Sequence, residues 1–385
     1  MKKKKHEKLF HMVKRDDIST SVRVAIKLGA IVIALVLCAV ITTVATGYNP
    51  VEVFFSFIDG AFGSSRKIWI TMQDTAILLL ISIALTPAFR MRFWNIGGEG
   101  QILMGGLGAA FVMMNFGESL PSGVVMLLMI VSSIFLGALW GFIPAICKAK
   151  WNTNETLSTL MLNYIATQLV AFFIVYKVPS GSAVIGIINQ KTRAGWMPEL
   201  FGSKYMLTIL IAVILTISLY FYVNNSKQGY ELRVVGESEK TAQYVGIKVG
   251  WVIVRTMIIS GALCGLVGLL LVGSKDHTIT TTITRGLGFT AIMVSWMAKF
   301  NPFIMIPASL LIVFMNKGAN NMASAVGLNE SFGEILLGII LFFIIGSEFF
   351  VNYKIAIKKD RKKNNSEKSE NKGLTDVSKN KYEKY

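Results

Sequence analysis

The sequence contains few charged residues for its length of 385 residues. Charged residues make up 16%, whereas roughly a quarter is usual in soluble domains. Hydrophobic residues make up 53%, and the mean hydropathy is +0.56. These values exclude an ordinary soluble domain and predict an all-α polytopic membrane protein.

Cysteine is also scarce. The three cysteines, Cys38, Cys147 and Cys264, all fall in apolar runs, and no C-x-x-C spacing occurs among them. This placement argues against both a disulfide framework and a zinc site. We therefore expect small packing residues and no bound metal.

Residue sets that could perform catalysis are lacking too. The histidines are His6, His11 and His277, and none of them falls in a predicted span. The nearest match to a phosphate-binding loop, GLLLVGSK at 268–275, lacks the required Lys followed by Ser or Thr. We therefore predict no catalytic residues, no cofactor bound by this chain and no membrane-embedded enzyme.

The formal net charge is +17, and its basic residues gather in MKKKKHEK at the start and KIAIKKDRKKNN near the end. Terminal basic clusters of this kind meet anionic lipid or fix orientation. The distribution therefore predicts contact with membrane lipid and no binding of nucleic acid.

Long apolar runs are abundant, and a helix needs about 20 apolar residues to cross the hydrocarbon core. About ten spans follow, several of them short by this criterion. Their ranges are 24–46, 67–86, 94–115, 123–146, 156–176, 205–223, 251–272, 287–299, 302–316 and 333–351.

An even number of spans places both basic tails on one side, which the positive-inside rule makes cytoplasmic. We expect a basic cytoplasmic N-terminus at 1–23, a transmembrane domain at 24–351 and a basic, disordered cytoplasmic tail at 352–385. No soluble domain of useful size remains between the spans. Energy for any transport must come from the membrane gradient or from another polypeptide.

Five acidic residues lie within or beside the predicted spans, where an unpaired charge near the bilayer centre costs about 2.5–3.5 kcal/mol. Glu155 and Glu348 are close to span ends, so headgroup contact or pairing within the bundle explains them. Asp74, Glu99 and Glu334 are candidates for function.

Glu99 belongs to the stretch FWNIGGEGQ at 93–101. Asn95 and Glu99 are four residues apart and would share one face of a helix, with Gln101 on another face. The glycines between them permit an unwound backbone, which at membrane depth must be buried in protein or line a wet cavity. The apolar part of RGLGFTAIMVSWMAK at 285–299 is too short to cross upright.

Two such segments, one in each half, predict short or broken half-helices around a site near the membrane midplane. The alternative is that both are close contacts between helices through small residues.

The polar loop 225–250 also has a pattern. An apolar side for a short helix would come from Leu232, Val235, Tyr244, Val245 and Ile247. This pattern favours a rigid cytoplasmic element that contacts a partner protein, with a solvated linker as the alternative.

Three motifs carry a resemblance over most of residues 24–350. FWNIGGEGQILMG resembles the F-N-I-G-G-E-G-Q motif of permease subunits of ABC importers in the ribose and branched-chain amino acid permease group, especially the nucleoside branch served by basic-membrane-protein lipoproteins. LRVVGESEKTAQYVGIKV and GLGFTAIMVSWMAKFNP are similar to the family's cytoplasmic segment and its G-x-G-F stretch. Trp94 between the family's Phe and Asn, and Glu237–Ser238 in place of Asn-Pro, depart from the pattern.

The resemblance implies the permease subunit of an ATP-driven importer for nucleosides or related sugars, in a bacterial plasma membrane. Its implied partners are a cytoplasmic ATPase that uses ATP and Mg²⁺, a second permease subunit, either distinct or a copy, and an extracellular binding lipoprotein. The implied substrate pathway comprises Asn95, Glu99, Gln101, Asn163 and Phe289. The implied ATPase contacts are Arg233, Gly236, Glu237, Ala242 and Gly246.

A second hypothesis, an ion-coupled secondary transporter, needs no partner. It would use Asp74, Glu99 or Glu334 as ligands for a proton or sodium ion.

Overall fold

The computed structural model describes residues 10–15, 18–178 and 184–357 as a nearly all-helical chain, which confirms the predicted fold class. The helices are α1 Thr20–Thr46, α2 Pro50–Phe62, α3 Ser65–Arg90, α4 Gly98–Phe116, α5 Ser122–Trp151, α6 Glu155–Lys177, α7 Met206–Asn225, α8 Lys227–Glu237, α9 Glu239–Tyr244, α10 Val249–Leu270, α11 Leu287–Met297, α12 Pro302–Ala325 and α13 Glu330–Asn352. A π-helix, Leu271–Lys275, continues α10, and two strands are β1 Phe10–Lys14 and β2 Tyr353–Ile357.

Within the described residues, eight helices are long and apolar enough to cross a membrane: α1, α3, α5, α6, α7, α10 with its π-helix, α12 and α13. The predicted spans 94–115 and 287–299 correspond to α4 and α11, which are not among the eight. Helix α11 has 11 residues, or about 17 Å at 1.5 Å per residue. A short element is thus confirmed there, and the count of ten crossings remains a prediction.

Two features were missed from the sequence. Helix α2 is 13 residues long, and Asn49 caps its first turn by accepting a hydrogen bond from the Val51 N–H at 2.9 Å. Helix α12 extends to Ala325 rather than ending near 316. The polar run NKGANN ends the apolar stretch but not the helix, because some of these side chains line a cavity.

One compact unit comprises the chain up to Ala45 and from Gly338 onward. Strands β1 and β2 pair antiparallel, with Phe10 opposite Ile357, and Lys27 on α1 forms an ion pair with Glu348 on α13 at 3.1 Å. The pairing brings the chain before α1 beside the chain after α13, as an even number of crossings requires. Which side of the membrane they face remains a prediction.

The tail predicted as disordered from 352 begins differently in the structure. Its first residues complete α13 and form β2, because Tyr353–Ile357 finds a hydrogen-bonding partner in β1. The remainder, 358–385, lies outside the described residues, as does 1–9 of the predicted basic N-terminus.

The second unit, Thr46–Leu337, holds the remaining helices around α3 and α10. Helix α3 is apolar on all sides and is buried almost continuously from Thr75 to Phe89. A helix without a polar face belongs inside a bundle. Helices α5, α6 and α7 bury one stripe and expose apolar side chains elsewhere, as membrane-facing helices do.

Glycines let α4, α5 and α10 approach backbone to backbone. A Cβ at Gly105 of α4 would overlap Gly265 of α10, and a Cβ at Gly265 would overlap the Ser133 carbonyl of α5. Gly268 of α10 meets the Ile102 carbonyl of α4 in the same way. We call this three-helix contact the glycine seam; it is the small-residue packing that drives helix association in membranes.

We predict that Gly265→Ala lowers the thermal unfolding temperature of the purified protein in detergent. The added methyl group has no space, and overpacking of this kind costs about 1–3 kcal/mol. Gly338→Ala, on α13 where nothing lies within 4 Å, is the control and is expected to leave the temperature unchanged or raise it. Equal thermal unfolding temperatures for the two variants would contradict the close packing at Gly265.

Candidate functional site

The helix breaks between α3 and α4. Helix α3 ends at Arg90, Arg92 adopts a left-handed conformation with φ of 59°, and α4 begins only at Gly98. The segment 93–97 between them is non-helical, and Phe93, Asn95 and Gly97 within it are buried. The unwound backbone predicted around these glycines is therefore present.

Asn95 and Gln101 form a buried pair beside this break. The Asn95 side-chain amide donates to Gln101 Oε1 at 3.4 Å and to Ser260 Oγ at 3.3 Å, and the Gln101 amide donates back to Asn95 Oδ1 at 3.3 Å. Asn95 is 0% exposed and Gln101 is 1% exposed.

The predicted shared face of Asn95 and Glu99 is wrong. Asn95 precedes the helix, so the four-residue spacing does not align it with Glu99. Instead, its Oδ1 accepts the Gly97 N–H at 3.0 Å. Neither Asn95 nor Gln101 lines the cavity described below.

Asn163 of α6 forms two hydrogen bonds with the backbone around the break. Its Oδ1 accepts the Gly100 N–H at 2.8 Å, and its Nδ2 donates to the Ile96 carbonyl at 2.9 Å. A side chain at Gly100 would crowd Asn163, whose Oδ1 lies 2.8 Å from the position of a Cβ. The glycine thus allows a direct contact between side chain and backbone.

Glu99 points away from this network and joins α4 to α11. Its Oε1 accepts the Gly288 N–H at 2.7 Å, and the Thr284 hydroxyl and the Phe289 N–H also donate to this carboxylate. The first N–H groups of a helix have no partners within the helix and carry a partial positive charge. Gly286, the residue before α11, offers no side-chain cap, so the distant Glu99 supplies one.

The cavity beside Glu99 has a volume of about 1080 Å³. Two of its walls are polar: one carries charged and amide groups, and the other is the segment TITTTIT at 278–284, followed by Arg285 and α11. The lining includes Asp74, Glu99, Asn163, Lys275, Asp276, Thr278, Thr280, Thr281, Thr282, Thr284, Arg285, Phe289, Asn316, Lys317, Asn320 and Glu334.

The structure brings three of the five predicted pathway residues to this cavity: Glu99, Asn163 and Phe289. The Phe289 ring is 45% exposed at the first turn of α11. Phe93 instead packs in an apolar cluster and is 3% exposed.

Sequence reasoning missed the threonine wall and both lysines. The threonine-rich run TITTTIT was a usable signal, because its threonines line the cavity, as does Ile283, while Ile279 is buried. No sequence signal identified Lys275 and Lys317. Both follow apolar runs, and a lysine is expected where a membrane span ends.

Asp74, a candidate ion ligand in the second hypothesis, already has two cationic partners. Lys275 Nζ lies 2.7 Å from Asp74 Oδ1, and Lys317 Nζ lies 2.6 Å from Asp74 Oδ2. Among the described residues, no group of three or more His, Cys, Asp or Glu side chains could hold a metal ion.

Helices α8 and α9 occupy the predicted loop 225–250. Leu232, Val235 and Ala242 are buried against the end of α3, Phe93 and the start of α10. A Cβ at Gly236 would overlap the Arg90 carbonyl, so this glycine allows the contact with α3.

The outer side of this segment is exposed. The predicted apolar side is confirmed at Leu232 and Val235 but wrong at Tyr244 and Val245, which are 92% and 58% exposed. Arg233, Glu237 and Gly246 are also exposed, and Gly246 has a φ of 82°.

The cavity extends from Glu99 to the end of α10 that is farthest from the 225–250 segment. Val249, at the start of α10, packs in the cluster under α8, while Lys275, at the end of its π-helix, lines the cavity. The 27 residues from Val249 to Lys275 form one continuous span, which corresponds to about 40 Å.

A comparison with protein families identifies the chain. Residues 68–345 match the family described as branched-chain amino acid transport system / permease component. The chain belongs to this family. It is a multi-pass permease component of an ABC importer in the plasma membrane.

Similar curated proteins are permeases of ABC transporters. The guanosine ABC transporter permease protein NupP of Bacillus subtilis is 30% identical over 84% of this chain and 93% of its own length. The nucleoside ABC transporter permease protein NupB of Lactococcus lactis is 27% identical over 84% and 90%. The glucose ABC transporter permease protein TsgB13 of Haloferax volcanii is 25% identical over 85% and 88%.

Membership in this family decides between the two sequence-based hypotheses. An ABC importer takes its energy from a partner ATPase and receives cargo from a substrate-binding protein. The ion-coupled alternative is therefore not supported, in agreement with the pairing of Asp74 to two lysines.

We predict that Glu99→Gln lowers the maximal uptake rate by at least about tenfold with little change in the half-saturation concentration. The glutamine replaces one carboxyl oxygen, which can accept from the donors at Thr284, Gly288 and Phe289, with an NH₂ group, and a buried donor left unsatisfied costs about 1–3 kcal/mol. The effect is expected on the arrangement of α4 and α11 rather than on cargo affinity. Uptake of radiolabelled inosine measures both quantities.

Glu118→Gln is the matched control, because Glu118 is exposed in the loop after α4 and does not line the cavity. It should leave the maximal rate within about twofold, since most surface substitutions change free energy by about 0.5 kcal/mol or less. An unchanged maximal rate with a raised half-saturation concentration in Glu99→Gln would assign Glu99 to cargo binding instead.

Proposed function

We propose that this permease imports nucleosides through the cavity at Glu99. The observation that carries the proposal is the composition of the cavity wall, where threonine hydroxyls and asparagine amides line the same cavity as the exposed Phe289. Hydroxyls and amides suit a ribose and the edges of a base, and an aromatic ring stacks on a base. The nucleoside permeases among its relatives support the same cargo.

The size of the cavity agrees with a small, polar cargo. Small-molecule sites are commonly about 300–1,000 Å³, and this cavity of about 1080 Å³ is slightly larger. Glu99, Asn163 and Phe289 are the pathway residues that we retain. Asn95 and Gln101 hold the helix break instead.

We assign ATPase contact to the exposed side of α8 and α9, with Arg233, Glu237 and Gly246 at the surface and Gly236 and Ala242 packed beneath. Movement of this segment would pass through Phe93, which shares its apolar cluster, to the break and then to Glu99 and α11. Nucleotide binding to the ATPase would drive the change only by favouring one arrangement over the other.

The remaining partners complete the importer. A second permease subunit, which we expect to be a distinct chain, would form the other half of the pathway, and a binding lipoprotein would deliver the cargo outside. ATP and Mg²⁺ would be used by the ATPase, with no catalysis by this chain. The basic termini would lie on the cytoplasmic side.

Reconstitution of the complete transporter in proteoliposomes tests the cargo. With ATP enclosed on the ATPase side and the binding lipoprotein outside, radiolabelled inosine or guanosine should accumulate, and a non-hydrolysable ATP analogue should abolish accumulation. Glucose is the comparison cargo, because one relative is a glucose permease. Uptake of glucose without uptake of any nucleoside would overturn the proposed cargo.

We predict that Tyr244→Ala weakens copurification of the ATPase by at least about tenfold, as loss of a central aromatic contact of about 2 kcal/mol would do. Tyr244 is 92% exposed at the end of α9, so its removal should leave folding intact. Phe201→Ala is the control, because Phe201 is similarly exposed at 87% but belongs to the loop before α7. Unchanged copurification of the ATPase with the Tyr244→Ala variant would contradict an ATPase contact at the end of α9.

A further inference from the structure

Three charged side chains from three separate elements meet at the cavity wall. Asp74 comes from α3, Lys275 from the end of the π-helix and Lys317 from α12, and each lysine approaches a different oxygen of the Asp74 carboxylate. We call them the Lys-Asp-Lys cluster. Their side chains are only 14%, 17% and 28% exposed, so the cluster is sheltered yet still in contact with the cavity.

Pairing of the cluster leaves hydrogen-bonding capacity unused. An ammonium group has three donors, and an ionised carboxylate has about four acceptor sites. Each lysine uses one donor on Asp74, and Asp74 uses one site on each oxygen. Donors on both lysines therefore remain, together with acceptor capacity on Asp74, whose Oδ1 is itself buried.

A hydroxyl group matches this surface, because it both donates and accepts. Two neighbouring hydroxyls could accept from the two lysines, and one of them could also donate to Asp74 Oδ2. A phosphate at neutral pH could accept from the unused lysine donors, but it offers Asp74 few donors and is repelled by its carboxylate. An amine cation would meet two ammonium groups for one carboxylate.

Neutral amides lie beside the cluster on α12. The Asn320 side-chain amide donates to Asn316 Oδ1 at 3.0 Å, and both residues line the cavity next to Lys317. These amides offer further contacts to hydroxyls, while Asp276, Arg285 and Glu334 add charged groups elsewhere in the lining.

We propose that the Lys-Asp-Lys cluster is a specificity subsite that binds adjacent hydroxyl groups of an uncharged cargo. This inference rests on the proposed function and deepens it, since the ribose of a nucleoside carries two adjacent hydroxyls. Asp74 positions the two ammonium groups, and the lysines contact the cargo oxygens.

The test compares uptake of inosine and 2′,3′-dideoxyinosine by the complete transporter in proteoliposomes. Both cargoes are supplied at concentrations that saturate the binding lipoprotein, as established by their affinities for that protein alone. Wild-type transporter should take up inosine at least about tenfold faster, because a site built for hydroxyl groups rejects an analogue lacking them. The ratio of the two rates is measured within one preparation, so the amount of active protein cancels.

Lys275→Met and Lys317→Met should each bring this ratio close to one, since each removes the donors of one ammonium group but leaves Asp74 one lysine partner. Lys67→Met is the matched control. Like the two cluster lysines, Lys67 pairs with a carboxylate, that of Asp59, but it does not line the cavity. It should keep the wild-type ratio.

Two results would overturn the subsite while leaving nucleoside import intact: equal wild-type rates for the two cargoes, or a wild-type ratio in both lysine variants. The first comparison needs no variant, so it decides the matter even if both variants fail to assemble. Absence of inosine uptake by the wild-type transporter would instead overturn the proposed cargo, and this inference with it.

Discussion

The site depends on one constraint: a backbone that leaves the helical conformation inside a membrane must find partners for its N–H and C=O groups within the protein. The break at 93–97 meets this constraint with backbone and side-chain partners; the Phe93 N–H, for example, donates to the Ala88 carbonyl at 3.0 Å. The Ile96 N–H donates to Thr159 Oγ1 at 3.2 Å, and the Ile96 carbonyl accepts from Asn163. Because the break is held in this way, α4 begins where Glu99 can reach α11.

Charge in this protein follows a similar rule, since carboxylates near the apolar interior find partners. Glu99 caps a helix, and Asp74 binds two lysines. The pairing that the sequence analysis offered for Glu155 and Glu348 is present, with Lys148 at 3.0 Å and Lys27 at 3.1 Å. Acidic residues in the predicted spans therefore located the functional region in the sequence. The structure was needed to tell which of them hold helices together and which line the cavity.

The sequence was most informative where the physics is local. Apolar run length gave most helices to within a few residues, and glycine with a polar neighbour located the break near Asn95 and the short helix at 287–297. It was least informative where distant segments meet. The pairing of Asn95 with Gln101, the role of Asn163 and the union of Asp74 with two lysines all depend on how helices pack, which helical spacing cannot reveal. The extension of α12 was missed for the same reason. Its asparagines face a cavity, but in the sequence a polar run of this kind indicates the end of a membrane span.

The glycine seam has a mechanical consequence. Backbones in van der Waals contact cannot slide past one another without opening a gap along their whole length, so α4, α5 and α10 behave as a single rigid block. Glu99 of α4 and Phe289 of α11 line the same cavity, and the Glu99 carboxyl joins the two helices. If the pathway opens alternately to the two sides, we expect the hinge to lie outside the three helices, so that Glu99 links the rigid block to a helix that can move.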